Sequence, residues 1–314
     1  MSNHHSPRPA RAPEPVGFRH QHPFLTALIP IGLVLVAIVT MVVIKTTGGT
    51  ASASARSSSV STGSGHGSAV SSTGNGTTAL PSGVLADVTS VSAATLAKVG
   101  DPGSLADPVE VSGSPSILRG ADGKPEIVYI GAEFCPFCAA ERWAVVEALS
   151  RFGTFSDLSA THSSTTDIYP NTKTFSFYGS TYSSPYFDFV PVEEETNQVV
   201  GSGYSQLQTP TASEQSLLAT YDVSPYTTEP GSIPFLDIGN RYIVSGASYS
   251  PAVLQGLTMS QIAAQLNNPS SVVAEAIDGT ANLITASISA ITGDQPSSVV
   301  GSSTIAAIAH KLGA

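Results

Sequence analysis

The chain has 314 residues, 41% hydrophobic and 11% charged, with 13 Lys plus Arg, 23 Asp plus Glu and a formal net charge of −10 at pH 7. From residue 84 onward 22 acids face 8 bases, about −14 in all, which disfavours nucleic acid and anionic lipid surfaces as partners of that part. No nucleotide-binding glycine loop, Ser-His-Asp constellation or paired-carboxylate signature stands out.

Residues 1–23 carry Arg8, Arg11 and Arg19, four histidines and a single acid, Glu14, without an apolar period, and are expected to form a disordered cytoplasmic tail. Residues 24–44, FLTALIPIGLVLVAIVTMVVI, run for 21 positions without a charge, long enough to cross the hydrocarbon as one helix that Pro30 would kink. A cleaved signal peptide is the rival reading, but the apolar run is too long for its core and no small-x-small site closes it. Three arginines before the span against Lys45 and Arg56 after it predict a single pass through the plasma membrane, with the N-terminus cytoplasmic and the bulk of the chain extracytoplasmic. Residues 45–83 are a Gly/Ser/Thr/Ala tract that reads as a flexible tether, leaving 84–314 as the folded domain.

Within that domain, Val88 to Val99 reads as a helix broken by Gly100-Asp-Pro-Gly. Ser116 to Arg119 and Glu126 to Ile130 read as strands joined across the Asp122-Gly123 turn, and Ala139 to Leu149 as a helix with Trp143, Val146 and Leu149 at helical spacing. Leu158 to His162 suits a strand. In the aromatic stretch that follows, Phe175 and Phe177, then Phe187 and Phe189, alternate at strand spacing and are expected to pack in the core. Glu193-Glu-Glu195 reads as a solvated charge run, with a calcium site as the alternative. Ser213 to Tyr221 is a capped helix, and Ser232 to Ile238 with Arg241 to Val244 a hairpin across Gly239-Asn240. Pro251 to Leu266, Ser271 to Ile291 and Ser302 to Leu312 read as helices.

Both cysteines of the chain, Cys135 and Cys138, stand two residues apart between an apolar strand and a helix. Free backbone N–H groups and the positive end of the helix dipole favour a thiolate at the first of them, so Cys135 is the expected nucleophile. Cys138, one turn on, is shielded and placed to resolve a mixed disulfide from within. Pro136 tolerates the first helical turn and stiffens the loop between the sulfurs.

The Ala132-Glu-Phe-Cys-Pro-Phe-Cys138 turn resembles the active-site motif of the thioredoxin superfamily, and its Cys-Pro-Phe-Cys core looks most like that of glutaredoxin-like members. The superfamily's second motif, a cis-proline after a β-branched residue that opens an antiparallel strand pair, is matched by Ile233-Pro234. Tyr129 to Trp143, Phe175-Ser-Phe-Tyr-Gly179 and Phe189-Val-Pro-Val-Glu193 further resemble a family of membrane-anchored thioredoxin-like proteins of unknown function, the domain of unknown function 929 family. The resemblance implies an α/β fold, a thioredoxin-like mixed sheet flanked by helices, with an insertion at about 165–228 between the Cys-x-x-Cys helix and the cis-Pro strand. It implies a substrate-binding edge made by Ile233, Pro234, Phe137 and Pro136. The buried carboxylate that thioredoxins keep on the strand before the motif is replaced here by Tyr129. Glu133 lies near but is expected to point to solvent; Glu133, Trp143 and Tyr129 are the supporting residues to examine.

These features predict an extracytoplasmic thiol–disulfide oxidoreductase that exchanges disulfides with secreted or envelope proteins and is regenerated by a membrane or extracytoplasmic redox partner, with no nucleic acid involved. The alternative is a non-catalytic interaction domain with a static disulfide, although so small a ring removes little chain entropy. Zinc needs four ligands, or three and water, and beyond the tail only His66, His162 and His310 accompany the cysteines, so neither metal nor cofactor is expected.

Overall fold

The computed structural model describes residues 76–314. The expected tail at 1–23, the span at 24–44 and the tract as far as 75 lie outside the described residues. Among the described residues no helix is long and apolar enough to cross a membrane.

The first elements in chain order are β1 (Thr78–Ala79), α1 (Val84–Thr89), α2 (Ala93–Val99), β2 (Val109–Glu110), β3 (Glu126–Gly131) and α3 (Pro136–Ser150). There follow β4 (Thr154–Ser156), β5 (Ser159–His162), β6 (Lys173–Ser176), β7 (Thr181–Ser183), β8 (Asp188–Glu193), β9 (Glu195–Val200) and β10 (Gly203–Gln206). The last are α4 (Ala212–Tyr221), β11 (Phe235–Ile238), β12 (Tyr242–Ser245), a 3-10 turn at Pro251–Leu254, α5 (Met259–Ala263), α6 (Val272–Thr292), α7 (Ser297–Val300) and α8 (Ser303–Leu312).

A mixed five-stranded sheet of order β2-β12-β11-β3-β8 carries the molecule. β3 and β8 run parallel, whereas β11 is antiparallel to both β3 and β12. Helices cover both faces, so β3 reads as a continuous apolar run rather than an alternation. Side chains that point to opposite sides of the pleat sort into two cores. Ile127, Tyr129, Leu236, Ile238 and Val244 join α3 and α6 on one side. Val128, Ile130, Val192, Phe235 and Ile243 meet Tyr221 of α4 on the other. The expected aromatic core forms: Phe175, Phe177 and Phe187 are buried, and Phe177 meets Phe155 and Phe189 at 6.0 and 5.2 Å.

Several expected elements differ in extent. The helix expected over Val88 to Val99 is two helices, because the Ser92 hydroxyl accepts from Thr95 N at 3.1 Å and restarts the turn. Ser116 to Arg119 is not a strand; only Arg119 bridges Pro125, and the Asp122-Gly123 turn closes too tightly for a ladder, with Gly120 N bonding Lys124 O at 2.9 Å. Pro251 to Leu266 divides at Gly256, whose φ of 76° a helix cannot hold, and a capping box at Thr258 and Gln261 begins α5. The stretch 165–228, expected as an insertion, is interleaved with the sheet instead: β8 lies inside it and pairs with β3 along its whole length, since Phe189 to Val192 provide apolar partners for Ile127 to Ile130. Within that stretch β6 and β7 precede β8, and the β9–β10 hairpin and α4 follow it. At the start of the domain, Thr78–Ala79 pair antiparallel with β5.

Candidate functional site

β3 delivers the chain to its C-terminal edge at Gly131, and α3 starts five residues later with Cys135 as its N-cap and Pro136 as its first residue. Cys135 Sγ accepts from Cys138 N at 3.3 Å, so the first sulfur occupies the place of a capping side-chain oxygen. On its other side Cys135 Sγ lies 3.7 Å from Ile233 O. The Ile233–Pro234 peptide is cis and leads directly into β11, which pairs with β3 through Phe235 and Ile130. The two predicted motifs, 98 residues apart in sequence, thus meet at one point.

The two thiols are free and differ in surroundings. Cys135 is 5% exposed and Cys138 is not exposed at all. A hydrogen bond from the Cys138 thiol holds the Cys135 thiol below its usual value; burial opposes this, and the Cys138 amide and the Arg142 guanidinium add to the lowering. Burial pushes the Cys138 thiol well up, and the hydrogen bond to Cys135 and the charge there push it further. The surroundings thus shift the two thiols in opposite directions, the first toward the thiolate and the second away from it.

The surroundings correct two expectations. Glu133 does not point to solvent: it is fully buried, accepting from Thr161 Oγ1 at 2.7 Å and from Ser176 Oγ. The hydroxyls of β5 and β6 satisfy the carboxylate that its place in the loop would otherwise expose. Glu193 is likewise no part of a solvated run. It is fully buried and forms a bidentate pair with Arg142, Nε to Oε1 at 2.8 Å and Nη2 to Oε2 at 2.5 Å, because β8, although the edge strand, brings Glu193 into register with Gly131 beneath the start of α3.

Tyr129 stands beneath the motif with its ring 5.9 Å from the Arg142 guanidinium carbon and 5.0 Å from Phe177. Its hydroxyl is buried without a partner, and burial holds it well above the usual phenol value. Gly131 makes room for it, since a Cβ there would lie 2.5 Å from the Tyr129 hydroxyl. Trp143 points elsewhere, donating from Nε1 to Lys173 O at 2.8 Å and packing on Phe175.

Around the sulfurs, Phe137 is 40% exposed and meets Tyr169 edge-on at 6.0 Å. Phe134 stacks on Tyr204 of β10 at 4.3 Å, and Tyr204 donates to Ser164 Oγ at 2.7 Å. Ser164 N in turn bonds Phe134 O at 2.7 Å, so the segment just before Cys135 is clamped from two sides. The sequence reading gave no role to Arg142, Tyr169 or Tyr204 and placed Glu193 only in a solvated charge run. Only Arg142 left a usable signal, its place four residues after Cys138 on the same helix.

Clefts of about 330 and 230 Å³ open elsewhere; the first is lined by Thr78, His162, Lys173 and Met259 among others, and neither cysteine lines either one. Among the described residues no group of three or more His, Cys, Asp or Glu is placed to hold a metal ion.

A family model described as Domain of unknown function (DUF929) matches residues 119–290. The chain belongs to the DUF929 family. Both cysteines, Arg142, Glu193 and the Ile233–Pro234 edge fall within the DUF929 match, whereas β1, α1, α2, β2, α7 and α8 lie outside it. No curated protein and no solved structure matches the chain.

Proposed function

We propose that the DUF929 domain of this chain is thioredoxin-like and works as a thiol–disulfide oxidoreductase on secreted or envelope proteins, held outside the cytoplasm by the apolar span at 24–44. The observation that carries this reading is Cys135 Sγ at the N-cap of α3, 3.7 Å from the carbonyl of a cis Ile233–Pro234 that opens an antiparallel strand pair. The strand-to-helix turn and the proline edge are the two motifs by which the sequence resembles that superfamily. A half-buried Ile233 beside an exposed Phe137 suits an extended client segment laid across the sulfur, with main-chain hydrogen bonding at the edge.

In the reductive direction the Cys135 thiolate attacks one sulfur of a client disulfide; that S–S bond breaks, and the departing client sulfur takes a proton from solvent. Cys138 then gives up its proton to solvent and attacks Cys135 Sγ. The client's second sulfur leaves as a thiolate, and two electrons have passed from the domain to the client. Run backwards, the same steps insert a disulfide into a client. An extracytoplasmic or membrane-borne redox partner has to restore the starting state. Disulfides persist outside the cytoplasm, the compartment the charge asymmetry of the span favours.

The test is a trap. Cys138→Ala should accumulate mixed disulfides between Cys135 and client proteins, visible as reductant-sensitive bands that disappear in Cys135→Ala. Failure to trap any client, combined with no turnover of a peptide disulfide by the unaltered chain, would overturn the reading in favour of a static interaction domain.

A further inference from the structure

Below the two sulfurs lies a charge that the exchange scheme has not yet used. Arg142 follows Cys138 by four residues on α3, so the two side chains lie on the same helix face, and both are fully buried. Glu193 holds the guanidinium at Nε and Nη2, and Nη2 also donates to Ala132 O at 2.8 Å. The same Ala132 offers its amide to the Cys138 sulfur. Glu193 is fixed in turn by the sheet, where it sits in register with Gly131 on the neighbouring parallel strand. Nη1 remains: it is buried and has no hydrogen-bond partner. A buried cation whose Nη1 leaves both its N–H groups unpaired is costly unless negative charge forms nearby, and the groups beside it that change charge during exchange are the sulfurs.

We propose that Arg142 is a positioning residue for disulfide exchange, stabilising the thiolate on Cys135 and then on Cys138, and that Glu193 sets how much of its charge the sulfurs feel. This rests on the exchange reading given above. Tyr129 takes no part in moving the proton, since a phenol that burial holds well above its usual value cannot accept it from Cys138. The scheme needs no internal base: the proton of Cys138 goes to solvent, its sulfur bonds to Cys135 Sγ, the Cys135–client bond breaks and the client sulfur leaves with the electron pair. The charged and titratable groups facing this centre are Cys135, Cys138, Tyr129 and Glu193, with Glu133 beyond Glu193.

The two partners of the ion pair should act with opposite sign, which a merely structural pair would not do. In the full chain, Glu193→Gln leaves the Arg142 charge uncompensated and should lower the midpoint of Cys135 thiolate formation, followed by iodoacetamide alkylation against pH, by about one pH unit. Arg142→Gln with Glu193→Gln removes both charges while keeping hydrogen-bonding groups. It should raise the midpoint and slow release of a preformed mixed disulfide about tenfold. Midpoints that stay put in both variants, or move the same way, overturn the proposal. If the double variant does not fold, Glu193→Gln decides alone: a downward shift supports the role and an unchanged or upward one overturns it. Alkylation needs no client, so the two readings fail separately. Shifted midpoints without turnover sink the exchange reading, and turnover with unmoved midpoints sinks only the role of Arg142.

Discussion

Glu141, three residues after Cys138, shows how burial turns a side chain into a pH-dependent load. Its carboxyl is fully buried on α3 and accepts from Ser248 N at 2.8 Å and Ser248 Oγ at 3.0 Å. Burial pushes it up to about 7, with the Ser248 bonds opposing. The folded state therefore keeps a proton that the unfolded chain releases near its ordinary value of 4.5. Stability falls as pH rises from that value through about 7 and stays lower above it, by on the order of 3 kcal/mol from this group. Asp237 and Asp278, pushed by burial up to about 7 and about 10, add falls of the same sign. Glu141→Gln copies the protonated form, so its urea midpoint should match the unaltered chain near pH 4 and exceed it near pH 8. Equal midpoints at both values would show that the Ser248 bonds, rather than a proton, carry the carboxylate's burial.

The β9–β10 hairpin acts as a brace for the start of α3. Glu133 N bonds Glu195 O at 2.8 Å, and Tyr204 combines its stack on Phe134 with the bond to Ser164. Removing that ring should cost about 1–2 kcal/mol from the lost stack and hydrogen bond. The effect should concentrate at the dithiol: Tyr204→Ala is expected to speed amide exchange at 132–135 and raise the alkylation rate of Cys135 at fixed pH. Unchanged exchange in that segment would mean that α3 is held by its own cap and by the sheet alone. The hairpin of β11 and β12 was legible from Gly239-Asn240 because both residues adopt the left-handed conformation such a turn requires, φ of 61° and 58°. The extent of α1, α2 and α5 was less so. Their breaks depend on one hydroxyl or one glycine choosing between two local conformations, a choice that packing decides.

For the molecule as a whole, the boundary of the domain is a question of what α1 and β1 bury. Val84 and Val88 are each 1% exposed and belong to the large core that includes α3, whereas β1 adds a two-residue ladder at the edge of β5. A chain beginning at residue 84 should lose roughly 1 kcal/mol relative to one beginning at 76, and a chain beginning at residue 91 at least about 3 kcal/mol, since two buried valines go with it. Denaturant midpoints of the three chains check this. Equal stability of the two shorter chains would place α1 outside the cooperative unit.

The local features could be read along the chain because each is decided within a few residues: the Cys135–Cys138 spacing at a strand-to-helix turn, the proline before β11, the period of α6 and α8, the turn at Gly239-Asn240. Nothing within reach of Glu133 or Glu193 in sequence announces that both are buried, because their partners Thr161, Ser176 and Arg142 arrive from β5, β6 and α3. The place of β8 in the sheet was hidden for a related reason: parallel pairing with β3 joins residues about sixty apart and leaves no turn between them to signal it. Burial of charge and the order of strands are properties of contacts between distant segments, so they exist only once the chain has closed around β3.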